Sequence, residues 1–263
     1  MRLLPVLLAL GLAGAAELKK DIEYSRPGGV PLKLDASIPD GPGPHPAVII
    51  VHGGGFVRGD KQTYVPPLFP PLAAAGFAWF SIDYRLAPKH NYTAANEDVR
   101  AAFAYLMAHA KELKIDPKRI ALSGESAGGT IVAYYAATEK GKYRPRAVVD
   151  FYGVSDWVFH RETLGQLSEG AAAWLAGADL KNASAITYVS KSMPPFLLIH
   201  GTQDQQVPFG HSERLCAAMK QVHAECELFV VEGAGHGVGN WEKVEANQVY
   251  KKKMVDWLQK QLP

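Results

Sequence analysis

Ser126 stands in the run Gly124-Glu125-Ser126-Ala127-Gly128-Gly129, with a glycine two residues away on either side. The residues before it, 119–123, form a short apolar run that reads as a strand, and residues 130–137 read as a helix. A serine on so sharp a strand-to-helix turn holds its hydroxyl clear of the chain, and Gly124 and Gly128 are needed because a Cβ at either would crowd the turn. The N-terminus of the following helix offers N–H groups and a partial positive charge to a developing anion. Serine is a weak nucleophile at neutral pH, so it needs a base, and the base needs an orienting acid. Asp204 and His236 supply these in the order Ser126…Asp204…His236, each just beyond an apolar strand-like run. The chemistry that fits is nucleophilic acyl transfer through an acyl-enzyme, with no metal or cofactor required.

A second glycine cluster, His52-Gly53-Gly54-Gly55-Phe56, follows the apolar run Ala47-Val48-Ile49-Ile50-Val51. Glycines there let backbone amides approach a substrate, and beside an elbow serine this is the other half of an oxyanion hole. The donors assigned are the amides of Gly54, Gly55 and Ala127. His52 is read as a brace for that loop rather than as the base. Among the nine histidines, His236 is preferred because it lies between glycines after the last strand. His200 ends a strand and is read as bracing the Asp204 loop. Asp156 competes with Asp204 for the acid, since it too follows a strand, one unit earlier. Phe56, Trp157 and Trp174 are candidate walls of a substrate pocket, with ordinary core packing as the competing reading for each.

These residues need a scaffold that gathers them at one edge. Strand-like runs at residues 47–51, 78–85, 119–123, 147–152, 195–201 and 227–232 alternate with helical patterns at 68–75, 94–110, 130–137, 212–222 and about 242–261. That alternation predicts an α/β fold with a mostly parallel central sheet and helices on both faces. Weaker strand signals at 22–24 and 32–36 precede it. Residues 154–193 break the rhythm and read as a small cap-like insertion over the site.

The length of 263 residues suits one α/β domain, spanning residues 17–263. Apolar residues at 48% allow a substantial core, and a net charge of +2 gives no argument for nucleic acid as partner. Residues 1–16 carry Arg2, an apolar stretch and Gly14-Ala15-Ala16 before the chain turns polar. This predicts a secretory signal peptide cut near Ala16, too short to span a bilayer, and hence a secreted or periplasmic protein with no membrane contact once it is removed. Export makes a Cys216–Cys226 disulfide possible, and two reduced thiols are equally compatible with the sequence. No H-E-x-x-H, CxxC or phosphate-binding loop is present, so no metal site is expected.

Taken together, His52-Gly53-Gly54-Gly55-Phe56, Asp83-Tyr84-Arg85-Leu86-Ala87-Pro88 and Gly124-Glu125-Ser126-Ala127-Gly128-Gly129 resemble the hormone-sensitive-lipase-type carboxylesterases. His200-Gly201-Thr202-Gln203-Asp204 and Gly233-Ala234-Gly235-His236-Gly237 are similar to the dienelactone-hydrolase-like group that includes bacterial feruloyl and acetyl-xylan esterases. The resemblance implies an α/β-hydrolase fold and a carboxylesterase acting on short acyl or hydroxycinnamoyl esters, with a small ester or an acylated polysaccharide as substrate. Only about thirty residues lie between the leader and the strand ending at His52. The sizeable N-terminal helical cap of the lipase-type enzymes therefore has no counterpart, which points to a more open site. A peptidase or amidase of the prolyl-oligopeptidase type and a catalytically silent hydrolase fold used for binding are the competing readings.

Overall fold

Strand β3 (His45–Val51) occupies the middle of an eight-stranded sheet in the computed structural model, which describes residues 17–263. The leader expected over residues 1–16 lies outside the described residues. From one edge the sheet runs β1 (Glu17–Ser25), β2 (Leu32–Ile38), β4 (Ala78–Ile82), β3, β5 (Ile115–Glu125), β6 (Val148–Phe151), β7 (Phe196–Gly201) and β8 (Cys226–Val231). β1–β2 and β2–β4 pair antiparallel, and every other neighbour is parallel.

The alternation along each strand explains the layers. In β3, Ala47, Ile49 and Val51 face one core, while Val48 and Ile50 face the other. The same division separates Phe196 and Leu198 from Leu197 and Ile199 in β7. A strand with apolar side chains on both faces must be covered on both, as parallel sheets are. Helices α2 (Tyr92–Ala108), α3 (Ala127–Thr138) and α6 (Gly210–Gln221) cover the first face, and α1 (Phe69–Ala74) and α8 (Val249–Gln261) the second.

Two expectations are corrected. The final helix expected over 242–261 is interrupted: a short helix α7 (Val238–Trp241) comes first, and α8 begins only at Val249. Val244 is extended between them. The Glu242 carbonyl accepts from Gln248 Nε2, and its carboxylate accepts from the Tyr250 hydroxyl at 2.8 Å. Those side-chain ties bend the chain where periodicity alone would continue it. The first strand is longer than its weak signal, because residues 17–25 ladder against β2, with irregularities after Lys19 and Glu23, although most of their side chains other than Tyr24 are exposed or half-exposed.

Residues 154–193 contain no strand. They fold as α4 (Trp157–Leu164), α5 (Glu169–Trp174) and a single turn at Ala185–Tyr188. Cys216 on α6 and Cys226 at the start of β8 are joined in a disulfide with Cα atoms 5.5 Å apart. The helix and the strand after it lie side by side, which resolves the alternative that the sequence left open.

Candidate active site

Ser126 links β5 to α3 with φ 54° and ψ −116°, a conformation that costs roughly 1–3 kcal/mol in a non-glycine residue. The surroundings enforce it. Its N–H donates to the Phe151 carbonyl at 2.9 Å. A Cβ on Gly124 would come within 2.3 Å of the Gly128 carbonyl oxygen, and one on Gly128 within 2.0 Å of the Val51 carbonyl oxygen. The turn therefore packs backbone on backbone, and the Ser126 hydroxyl is left to point out of it.

Ser126 Oγ lies 2.8 Å from His236 Nε2, and His236 Nδ1 lies 2.6 Å from Asp204 Oδ2. The imidazole donates from Nδ1 to the carboxylate, which leaves Nε2 as the acceptor for the serine proton. Asp204 is itself fixed: its Oδ1 accepts from the Gln206 and Val207 amides, both at 2.9 Å. Burial alone would raise its pKa, but hydrogen bonds from His200, His236 and the Val207 amide outweigh that and hold it well below the usual carboxylate range. His200 Nε2 donates to the Val207 carbonyl at 2.9 Å and approaches Asp204 Oδ2 at 3.4 Å, while its Nδ1 accepts from Ser212 Oγ at 2.7 Å. It braces the Asp204 loop from beneath.

The structure brings Asp204, and not Asp156, to the histidine. Asp156 caps α4, accepting from the Val158 and Phe159 amides at 3.1 Å, and pairs with Arg214 at 2.9 Å. His52 is buried below the glycine loop, stacked on Tyr84, and its Nδ1 donates to the Gly53 carbonyl at 2.6 Å. Burial pushes it down to about 4, so it is a neutral strut.

In that loop Gly54 has φ 112° and a Cβ there would meet the Arg58 carbonyl oxygen at 2.0 Å, so only glycine fits. Gly55 follows at φ 62°. Among the described residues, no carbonyl or side chain accepts from the Gly54 or Gly55 amide. The Ala127 amide opens α3 beside Ser126. Gly55 and Ala127 border the same cavity as Ser126, and Gly54 borders the adjoining cleft. The cap packs directly on this loop, since a Cβ on Gly170 would strike the Gly55 carbonyl oxygen at 2.3 Å.

Two spaces meet at Ser126. One is a cavity of about 250 Å³ walled by Phe56, Val154, Trp157, His160, Leu164 and Val207. The other is a more polar cleft of about 650 Å³ bordered by Arg58, Tyr64, Gly237, Asn240 and Lys243. Phe56 and Trp157 both border the cavity. Trp174 does not: it is fully buried and stacks behind Phe56 with ring centroids 4.1 Å apart. It faces core on its other side, where Tyr92 meets it edge-on.

Several residues of the site carry no sequence signal. Tyr152 packs its ring 4.7 Å from that of His236, and its hydroxyl accepts from the Val238 amide at 2.7 Å. Trp241 Nε1 donates to the Gly235 carbonyl, and Asn240 Nδ2 to the His236 carbonyl. Glu125, beside the nucleophile, is buried, and its pKa is raised by that burial. Its carboxyl fills the space that a Cβ on Gly53 would need.

A family model described as BD-FAE matches residues 34–219. Esterase LipC from Mycobacterium tuberculosis is 29% identical over 223 residues, covering 74% of this chain and 53% of its own length. Esterase LipI from the same organism is 34% identical over 170 residues, covering 65% of this chain and 51% of its own length. The chain spans about half the length of the curated relatives it matches. The esterase Est2 of Thermogutta terrifontis, solved with propionate bound, superposes with a TM-score of 0.73 at 27% identity, covering 93% of this chain and 95% of that one. A truncated carbohydrate esterase from gut microbiota superposes at 0.82 with 24% identity, covering 95% and 98%. The architecture is the α/β-hydrolase fold.

Proposed function

The chain belongs to the BD-FAE family, and from that starting point we propose that it is an exported serine carboxylesterase that removes short acyl or hydroxycinnamoyl groups from carbohydrate esters. The observation that carries the chemistry is the continuous line Ser126–His236–Asp204, with hydrogen-bond distances of 2.8 and 2.6 Å, at the mouth of a cavity. In this reading His236 Nε2 takes the Ser126 proton as Oγ attacks the ester carbonyl carbon. The resulting oxyanion is met by the Gly54, Gly55 and Ala127 amides; losing one such donor costs about 2.7–4 kcal/mol in comparable enzymes. Collapse breaks the bond to the alcohol, which leaves with the proton from His236. Water then repeats the sequence on the acyl-enzyme, releasing the acid and restoring Ser126.

The leaving alcohol must stand where His236 can protonate it. His236 borders both spaces, and the more polar one continues along its loop through Gly237, Gly239 and Asn240, so this reading places the alcohol in the polar cleft and the acyl group in the apolar cavity. A cleft of about 650 Å³ has room for sugar residues. Est2 was solved with propionate and with butyrate bound, which supports a short acyl group, and a Bacteroides eggerthii protein described as bifunctional GH43-CE matches 94% of this chain and 35% of its own length at a TM-score of 0.81 and 25% identity. Export is supported by the residue pattern of positions 1–16 and by the Cys216–Cys226 disulfide, which suits an oxidising compartment.

The test is an ester panel with Ser126→Ala as the blank: para-nitrophenyl acetate, methyl ferulate and acetylated xylan. Acetate or ferulate release well above the blank is the expected result. Turnover of only the activated ester would remove the carbohydrate part of the reading, and none at all would remove the esterase.

A further inference from the structure

His160 and His211 form a buried imidazole pair that the acyl-transfer mechanism does not use. His160 lies on α4 and is 6% exposed, and His211 on α6 is fully buried. Their rings meet through His160 Nδ1 and His211 Nε2 at 3.1 Å. Burial lowers the pKa of both, that of His211 to about 2, where neighbouring His160, His200 and Arg214 also disfavour a charge. Both rings are therefore neutral, and each carries one proton.

The position of that proton follows from the surroundings. His211 Nδ1 is sealed from solvent and has no hydrogen-bond partner among the described residues. A buried N–H with no acceptor is rarer and more costly than a buried lone pair with no donor. The His211 proton is therefore on Nε2, and it donates to His160 Nδ1. That bond obliges His160 to carry its own proton on Nε2. His160 borders the acyl cavity, and its Nε2 has no hydrogen-bond partner among the described residues yet is not among the nitrogens sealed from solvent. For a side chain so nearly buried, the cavity is the space that this N–H faces. The wall around it is mostly apolar, with Phe56, Val154, Trp157 and Leu164, and its other polar side chains outside the triad are Thr130, Ser168, Gln205 and Gln206.

We infer that His160, oriented by His211, is a specificity residue that donates a hydrogen bond from the wall of the acyl cavity to an oxygen carried by the acyl chain, away from the ester carbonyl. The inference rests on the esterase reading and on the assignment of this cavity to the acyl group. The chemical class it selects is an acyl group with an ether, hydroxyl or carbonyl oxygen at the depth of His160, in preference to a hydrocarbon chain of the same length. Without such an oxygen the N–H must either keep a water in an apolar cavity or go unpaired, and both outcomes weaken binding.

The experiment compares para-nitrophenyl hexanoate with three analogues in which one methylene of the acyl chain, at the third, fourth or fifth position, is replaced by oxygen. Each pair has nearly the same shape, so the ratio of kcat/KM within one protein reports the oxygen. The wild-type ratio should rise about fivefold to tenfold at one position, the size of one net hydrogen bond. His160→Leu should bring that ratio down to the value set by inductive effects alone, and His160→Gln, which keeps an N–H, should restore part of it. Because every comparison is a ratio, a general loss of activity in a variant cancels. A flat wild-type series would overturn the inference without any variant, as would a peak that survives His160→Leu. Turnover of para-nitrophenyl acetate but of no hexanoyl compound would overturn it by showing that the cavity takes no such chain. If even the acetate ester is left intact, the esterase reading falls as well.

Discussion

The ring of Tyr152 lies against the ring of His236, with centroids 4.7 Å apart and planes inclined at 60°. Tyr152 ends the run from β6, so the base is held laterally by a residue that the elbow, through the Ser126 N–H to Phe151 bond, also touches in sequence. Its hydroxyl accepts from the Val238 amide, the first residue of α7. Tyr152→Phe leaves the ring in place and orphans that buried amide. The expected result is a stability loss of about 1–3 kcal/mol with a smaller fall in kcat. Urea unfolding and steady-state kinetics on the same variant separate the two, and unchanged stability would contradict this role.

Asp204 and Asp156 can be told apart by the same substitution. Asp204→Asn removes the anion that orients His236 and should lower kcat by about a thousand- to ten-thousand-fold. Asp156→Asn retains a good helix cap and gives up only a half-exposed pair with Arg214, so kcat should stay within about twofold of wild type. Ester hydrolysis by the two purified variants decides the matter, and the reverse pattern would reassign the acid.

Asp150 introduces a pH dependence of stability. Burial raises its pKa from 3.8 to about 6, although the Gly153 amide donates to it at 2.9 Å. The folded state therefore holds the proton more tightly than the unfolded chain. The stability linked to that proton is complete below about pH 4 and is lost as pH rises through about 6, a change of about 3 kcal/mol. Asp204 has the opposite sign, because its depressed pKa adds stability above about pH 4 that is lost in acid. Asp150→Asn keeps the acceptor for Gly153 and should gain on wild type across pH 4 to 6. Denaturant titrations of both proteins at several pH values measure the gap, and a gap that does not change with pH would refute the argument.

The Cys216–Cys226 bridge closes a loop between residues 10 apart. Cys216→Ser with Cys226→Ser should cost about 2–3 kcal/mol of stability, as expected for so short a loop. The bridge ties α6 to β8, the two elements on either side of the turn before the last strand, and neither cysteine touches the triad. Kinetics at a temperature where both forms are folded should therefore match. Intact mass without reductant gives an independent check, since the bridged protein is two hydrogens lighter than the dithiol.

The hydrogen-bonded line Ser126–His236–Asp204 was legible in the sequence because its members stand out locally. Ser126 and His236 each lie between glycines, and Asp204 follows a strand that ends in His200-Gly201. The glycines signal backbone shape, and backbone shape is what the reaction needs there. What was not legible depends on which side of an element faces the cavity. Trp157 and Trp174 look alike in sequence, yet one lines the cavity and the other stacks behind Phe56. His160 and His211 lie 51 residues apart and meet only because α4 packs on α6. Tyr152 reads as one more apolar strand residue until the His236 loop folds over it. The break in the last helix was hidden for a related reason, since the ties of Glu242 to Gln248 and Tyr250 are side-chain bonds that periodicity does not encode.

The acyl cavity draws Val154, Trp157, His160, Leu164, Ser168 and Ala171 from one continuous stretch between β6 and β7, whereas Ser126, Asp204 and His236 follow β5, β7 and β8. In the proposed reading, much of the acyl wall is thus written apart from the reactive residues, with Phe56 and Val207 among the wall positions that lie outside this stretch. A graft that replaces only the stretch between β6 and β7, retaining Gly170 where it abuts Gly55, would re-address the hydrolase to other acyl groups without redesigning its chemistry.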